Sequence, residues 1–307
     1  MPQLNLTFGG YQKPASIHNR AAERFGALLT HRLGDRIRFR LIGSVLDELG
    51  RKSGDLPDMV ESGELAFCYM STVRFTHAVP ELKILELPFV VSDRASAYRA
   101  FDGPFGARIG QTLEARSAFR LLGIWDNGFR HISNSVRTIR RPEDCAGLRI
   151  RTQASALHAE SFRALGFEPE AIDIKDFLET IATGRVHAQD NPLTNIFNFG
   201  VHEHQPHITL TGHFYGASLM ICNAAMYGSW PADVQSAVVE AAASATQYQR
   251  QLAAAEDDEV IGRFPERVQI IELAARERES FVNRLEPVLE KYRAEFDPRL
   301  FSLLRAH

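Results

Sequence analysis

The chain has 307 residues, more than one hydrophobic core usually serves, so two domains are expected. Apolar residues make up 45% and charged residues 24%, a balance that speaks against disorder. The formal net charge is -3 and the arginines are scattered, which speaks against a polybasic footprint for nucleic acid or a membrane surface.

Residues 4–8 alternate like a strand and lead into a helix over Ile17–Leu33. That helix has apolar positions at Ala22, Phe25, Leu28 and Leu29 and ends at Gly34. Ile37–Ile42 is a second strand with Ile37, Phe39 and Leu41 on one face. A helix through Met59 stops near Gly63, and residues 65–70 form a buried strand. This βαβαβ alternation implies a parallel sheet with crossover helices. Leu87-Pro88-Phe89 breaks the pattern, and a helix resumes over residues 94–103.

A second α/β region starts at residues 121–125. It continues with strands at 130–135 and 148–152, helices at Ala156–Leu165 and 174–183, and a strand at 186–189. Gly166 and Gly184 stand where helix C-caps belong. The longest helical signal covers residues 231–260, with Pro231 suited to the first turn. Its apolar or small stripe runs through Val234, Val238, Ala241, Ala245, Tyr248, Leu252 and Ala255. At 1.5 Å per residue it would span about 45 Å, so it is expected to lie across both domains. The expected division is residues 1–124 with about 212–250 in domain I, and 125–211 with about 251–307 in domain II.

No apolar run approaches a membrane span, and no signal peptide precedes the first strand. That leaves a cytoplasmic protein, or a mature exported protein whose leader has been removed. The three cysteines, Cys68, Cys145 and Cys222, share no CxxC spacing, which speaks against a metal knuckle or disulfide framework. Cys68 and Cys222 sit in apolar runs and read as buried core thiols.

Gly147-Leu148-Arg149-Ile150-Arg151-Thr152 reads as a strand with both arginines on one face. Arg151 closes it just before a helix, at the carboxyl end of a strand, where open α/β sheets bind ligands. A guanidinium there can hold a carboxylate bidentately. The plainer alternative is two arginines on a solvated face. Asp126-Asn127-Gly128-Phe129-Arg130 reads either as a site segment or as a surface turn at Gly128. Asn191, before Pro192, could bond a ligand at a strand end or simply form an Asn-Pro turn. His202, His204, His207 and His213 lack the accompanying carboxylate or Cys that a metal site uses, so no metal is expected. Asp47, Glu48 and Asp55 read as helix caps or solvated acids. GxGxxG, P-loop, GxSxG and HExxH signatures are absent; neither a catalytic residue nor a cofactor is expected.

Together these motifs resemble the DctP-type solute-binding proteins of tripartite ATP-independent periplasmic (TRAP) transporters. The resemblance runs from Phe8-Gly9 through Leu87-Pro88-Phe89, Gly128-Phe129-Arg130 with Ser133-Asn134, and Arg141-Pro142-Glu143-Asp144. It continues through Gly147 to Arg151, Ala164-Leu165-Gly166, Gln189-Asp190-Asn191-Pro192, Leu210-Thr211-Gly212-His213 and Trp230-Pro231-Ala232-Asp233-Val234. It implies an α/β, two-domain periplasmic-binding-protein-like fold with a hinge and a long helix spanning both domains, closing on a ligand in the cleft. It also implies periplasmic export and delivery to a membrane permease driven by an ion gradient. By the resemblance, Arg151 forms a salt bridge with a ligand carboxylate, Arg130 and Asn191 assist, and Tyr11, Ser71, Ile174, His213 and Tyr215 fall near the pocket. The expected protein is a monomer, not membrane-embedded, that binds no nucleic acid. Its ligand would be a small carboxylate, a sugar acid such as a uronate or a C4-dicarboxylate. The chain departs from the family pattern at His187-Ala188-Gln189-Asp190-Asn191, at Ile174, where many members carry an aromatic, and at Ser71, which is acidic in sialic-acid binders. The alternatives are an enzyme acting on an organic acid and a ligand-sensing module for a receptor kinase.

Overall fold

The structure is a computed structural model and describes residues 3–305. The chain forms two compact units. Unit 1 takes the chain up to Pro80, Gly106–Asp126 and Ala217–Ala254; unit 2 takes Glu81–Phe105, Asn127–Gly216 and the chain from Ala255 onward.

In unit 1, strand β1 (Leu4–Gly9) lies between β2 (Ile37–Ile42) and β3 (Phe67–Ser71) and runs parallel to both. β3 pairs antiparallel with the end of β8 (His207–Asn223), Phe67 opposite Cys222 and Ser71 opposite Ser218. Helices α1 (Ile17–Leu33), α2 (Val45–Leu49) and α3 (Leu56–Glu61) connect the strands. The Ser16 hydroxyl caps α1 by accepting the Asn19 N–H at 3.2 Å. Ala21, Ala22, Phe25 and Leu29 of α1 are buried with Phe8, Phe67, Trp125 and Trp230. All three cysteines are free and buried. Asp47 accepts from Lys13, while Glu48 and Asp55 accept backbone N–H groups at Ser44 and Lys52.

After α9 (Ala224–Ser229), the long helix is α10 (Ala232–Ile261), with residues in both units. The expected stripe is buried at Val234, Val238, Ala241 and Ala245. Beyond that the buried face moves to Gln249, Arg250 and Ala253, leaving Ala255 exposed. Polar side chains cause the change. Gln249 accepts the Asp126 N–H at 2.8 Å and donates to the Asp126 carbonyl at 2.5 Å, and Arg250 Nε donates to Ile124 O at 3.2 Å.

In unit 2, β7 (Ala188–Asn191) lies between β4 (Phe119–Asn134), antiparallel to it, and β5 (Arg149–Thr152), parallel to it. β6 (Glu168–Ala171) adds to β5, and β9 (Gln269–Glu272) to the start of β8. Around them lie α4 (Arg94–Asp102), α6 (Ala156–Leu165), α7 (Ile174–Ala182), α8 (Leu193–Asn198), α11 (Ala275–Arg293) and α12 (Pro298–Arg305), while α5 (Pro104–Arg116) leads back to unit 1. Ile132, Ile150, Phe162, Phe214 and Phe281 form one of the cores.

The structure departs from the sequence reading at three places. Residues 81–105 belong to unit 2, where Phe89 N–H donates to His213 O at 2.9 Å and Arg94 pairs with Asp257. Phe89, with φ of 56°, is the non-glycine residue with positive φ among those described, so this break in the pattern is a strained one. The turn expected at Gly128 is instead the interior of one strand, β4, and the change of unit expected at residue 125 falls inside that strand, between Asp126 and Asn127. Gly128 lies inside it with φ of 90°, and a Cβ there would stand 3.1 Å from the Pro192 Cβ. Finally, β7 starts later than the 186–189 strand of the sequence reading and takes in Asn191 as its last residue.

Candidate functional site

The candidate site is built at the carboxyl ends of β5 and β7. On β5, Arg149 is exposed, whereas Arg151 is 5% exposed, so the two arginines do not share a solvated face. Arg151 Nε donates to Ile172 O at 2.9 Å, and its guanidinium lies 4.7 Å from the centre of the Phe177 ring on α7. A carbonyl on one nitrogen and an aromatic face beneath fix the plane of the guanidinium.

In register, Arg151 stands beside Gln189 on β7. Gln189 accepts from Asn191 Nδ2 at 2.5 Å and donates to Ser133 Oγ at 2.6 Å; Ser133 in turn donates to Gln205 Oε1 at 2.7 Å. Residues two apart on a strand face the same way, so Arg151, Gln189 and Asn191 share one face. The sequence reading named Arg151 and Asn191 as site residues but not the glutamine that stands in register with the one and bonds the other. The i, i+2 spacing of Gln189 and Asn191 was the available signal.

Arg130 sits at the same end of the ladder, since its neighbour His131 pairs with Asn191. Alternation turns it to the opposite face. There Arg130 Nε donates to Asp190 Oδ2 at 2.5 Å, and Nη2 donates to the Asp190 carbonyl. Both residues are buried. Burial alone would push the Asp190 carboxyl upward, but Arg130, with His213, outweighs it and holds the group well below the usual carboxylate range. His213 Nε2 lies 3.6 Å from Asp190 Oδ2, and its Nδ1 is 2.6 Å from Thr211 Oγ1. Burial lowers the His213 pKa, with Asp190 pulling the other way. His131, whose Nδ1 accepts the Gly212 N–H at 3.1 Å, is pushed down to about 3 by burial and then by His213, Arg94 and Arg130. The structure thus joins Arg130 and His213 through Asp190, a residue the sequence reading had given no role.

Over residues 8–295 the chain matches the family described as bacterial extracellular solute-binding protein, family 7. It belongs to that family. It is 27% identical over 267 residues to the 2,3-diketo-L-gulonate-binding periplasmic protein YiaO of Escherichia coli, covering 85% of this chain and 79% of that one. It is 26% identical over 230 residues to the C4-dicarboxylate-binding periplasmic protein DctP of Rhodobacter capsulatus, covering 74% of this chain and 68% of that one. Its fold is that of the sugar acid binding protein DctPAm from Advenella mimigardefordensis, solved in complex with galactonate. That match has a TM-score of 0.93 at 23% identity and covers 99% of this chain and 97% of the other.

The remaining residues expected near the pocket of this solute-binding protein fall in both units. In unit 2, Ile174 opens α7 and is half-buried, and Tyr215 is buried edge-on to Phe129 at 5.1 Å. In unit 1, Tyr11 lies 5.4 Å from the Tyr69 ring, and Ser71 ends β3. Among the described residues, no group of three or more His, Cys, Asp or Glu could hold a metal ion. His202 stacks on Phe197 at 5.1 Å and His207 reaches Gln269 at 3.2 Å, so these two histidines serve separate packing and hydrogen-bonding roles. No helix among the described residues is long and apolar enough to cross a membrane.

Proposed function

We propose that the protein is the periplasmic solute-binding component of a TRAP transporter, holding the carboxylate of a small organic acid on Arg151. The observation that carries this reading is the buried Arg151 at the carboxyl end of β5, its plane set by Ile172 O and Phe177, beside the Gln189–Asn191 pair. A planar fork of donors held in a poorly solvated place suits a carboxylate, and burial strengthens each charge-assisted bond. Asn191 adds a polar group on the same face. Arg130, held by Asp190 on the opposite face, assists by fixing the strand end that carries Asn191, and Ile174, His213 and Tyr215 contribute to the remainder of the site within unit 2. The relatives named for 2,3-diketo-L-gulonate and C4-dicarboxylates and the neighbour with galactonate support an organic acid. The protein captures its ligand without chemistry and hands it to a membrane permease.

The test is isothermal titration calorimetry against sugar acids, C4-dicarboxylates and short hydroxy acids. Arg151→Ala should weaken binding of the preferred acid by about a hundredfold or more, as for a charge left without its partner. Arg151→Lys should also bind more weakly, because an ammonium lacks the planar fork. Near-normal affinity in either variant would sink the assignment of the clamp.

A further inference from the structure

Within unit 2, a row of buried polar side chains crosses the sheet on the face that carries Arg151. Ser133 on β4 and Arg151 on β5 stand in register on either side of Gln189 on β7. Gln205, just ahead of β8, continues the row through its bond to Ser133. Gln205, Ser133 and Gln189 are fully buried, and Asn191 is 4% exposed. The backbone N–H of Gln205 donates to Val201 O at 2.9 Å, so its place in the fold does not depend on its side chain.

The bonds run in one direction, from Asn191 Nδ2 to Gln189 Oε1, from Gln189 Nε2 to Ser133 Oγ, and from Ser133 Oγ to Gln205 Oε1. That direction leaves Gln205 Nε2 buried with no hydrogen-bond partner among the described residues. A buried donor left unmade is costly. It also commits one of the two amide N–H groups of Asn191 to Gln189. The same heavy-atom positions serve the opposite direction. An amide exchanges its oxygen and nitrogen by a half-turn, and a hydroxyl both donates and accepts.

Reversed, Gln205 Nε2 donates to Ser133 Oγ, Ser133 donates to Gln189 Oε1, and Gln189 Nε2 donates to Asn191 Oδ1. The stranded donor gains a partner, and the carbonyl oxygen that takes its place is tolerated better. Both N–H groups of Asn191 are then free. An ionised carboxylate accepts hydrogen bonds and donates none, so it matches Asn191 best in this second direction. We propose that Ser133 and Gln205 are positioning residues that act through Gln189, and that with a carboxylate bound the chain runs from Gln205 to Asn191 and turns the Asn191 amide nitrogen to the ligand beside Arg151. The inference rests on Arg151 and Asn191 facing the ligand, and deepens that reading by naming the residues that orient Asn191.

Calorimetry on the full chain tests it, with galactonate or succinate, whichever the unaltered protein binds more tightly. Ser133→Ala breaks the chain and should lower affinity about fivefold. Gln205→Met should lower it less, since Ser133 still reaches Gln189. Ser133→Thr keeps the hydroxyl and should restore most of the affinity. In an Asn191→Ala background, neither Ser133→Ala nor Gln205→Met should weaken binding further, because the group they orient is gone. Losses that add in the double variants would overturn the inference, since a packing defect acts equally in both backgrounds. Unchanged affinity in Ser133→Ala would overturn it as well. Urea titration checks that each variant folds, and if Ser133→Thr does not, the Asn191→Ala cycle decides. In NMR spectra, the side-chain amide signals of Gln205, identified by their loss in Gln205→Met, should move downfield on saturation as one N–H meets Ser133. Signals that stay in place would overturn the reversal. Arg151→Ala and Asn191→Ala, run alone, separate the two claims. Loss of binding in both with an unaffected Ser133→Ala keeps the ligand site and overturns the chain, whereas full affinity in either removes the reading on which the chain depends.

Discussion

Arg130 and Asp190 form a buried ion pair, and Arg130 is 1% exposed. Removing one partner strands the other charge in the interior, which typically costs about 3–5 kcal/mol. Arg130→Ala should therefore lower unfolding stability by about that amount in a urea titration, and any loss of affinity would come with it. His18 gives a second residue-scale prediction. Its folded pKa lies at about 3, below the usual 6.5, so the unfolded chain binds the proton more readily between those values. Stability is then fully present above pH 6.5 and falls as the pH drops toward 3. Between pH 7 and pH 5 the loss from this one group is about 2 kcal/mol, and His18→Phe should remove that part of the slope in urea titrations at the two pH values.

At the scale of the element, β4 and α10 carry the fold's least local features. Gly128→Ala must place a side chain at φ of 90°, with its Cβ against Pro192. The expected cost is about 1–3 kcal/mol, read as a lowered urea midpoint. Gln249 is the polar clasp between α10 and β4. Gln249→Leu leaves both the N–H and the carbonyl of Asp126 without that partner, and should cost about 1–3 kcal/mol in the same measurement. The helix itself was legible from its stripe as far as Ala245. The shift of the buried face afterwards was not, because it follows from bonds that Gln249 and Arg250 make to a strand more than a hundred residues earlier.

For the whole molecule, ligand and folding are linked by mass action. An acid that binds the folded chain should stabilise it by about 2.7 kcal/mol when present at about a hundred times its dissociation constant. Thermal-shift measurements should therefore rank sugar acids and C4-dicarboxylates by their affinity, and Arg151→Ala should abolish the shift. The chain passes from one unit to the other within β4, β8 and α10, so each unit is assembled from separated stretches of sequence. That is why residues 81–105 could not be assigned to their unit from alternation alone: their partners, His213 and Asp257, lie far along the chain.

Sequence by itself determined the alternation of strands and helices, the helix ends at Gly34 and Gly166, the long helix and the position of Arg151 at a strand end. These are local properties, set by periodicity and by the conformational preferences of single residues. The family resemblance added which arginine to watch. Only the tertiary structure decided that Arg130 is tied to Asp190, 60 residues away, that Gln189 stands in register beside Arg151 and bonds Asn191, and that His18 is buried with neither ring nitrogen partnered among the described residues. Strand register and long-range packing settle those facts, and neither leaves a mark on local sequence.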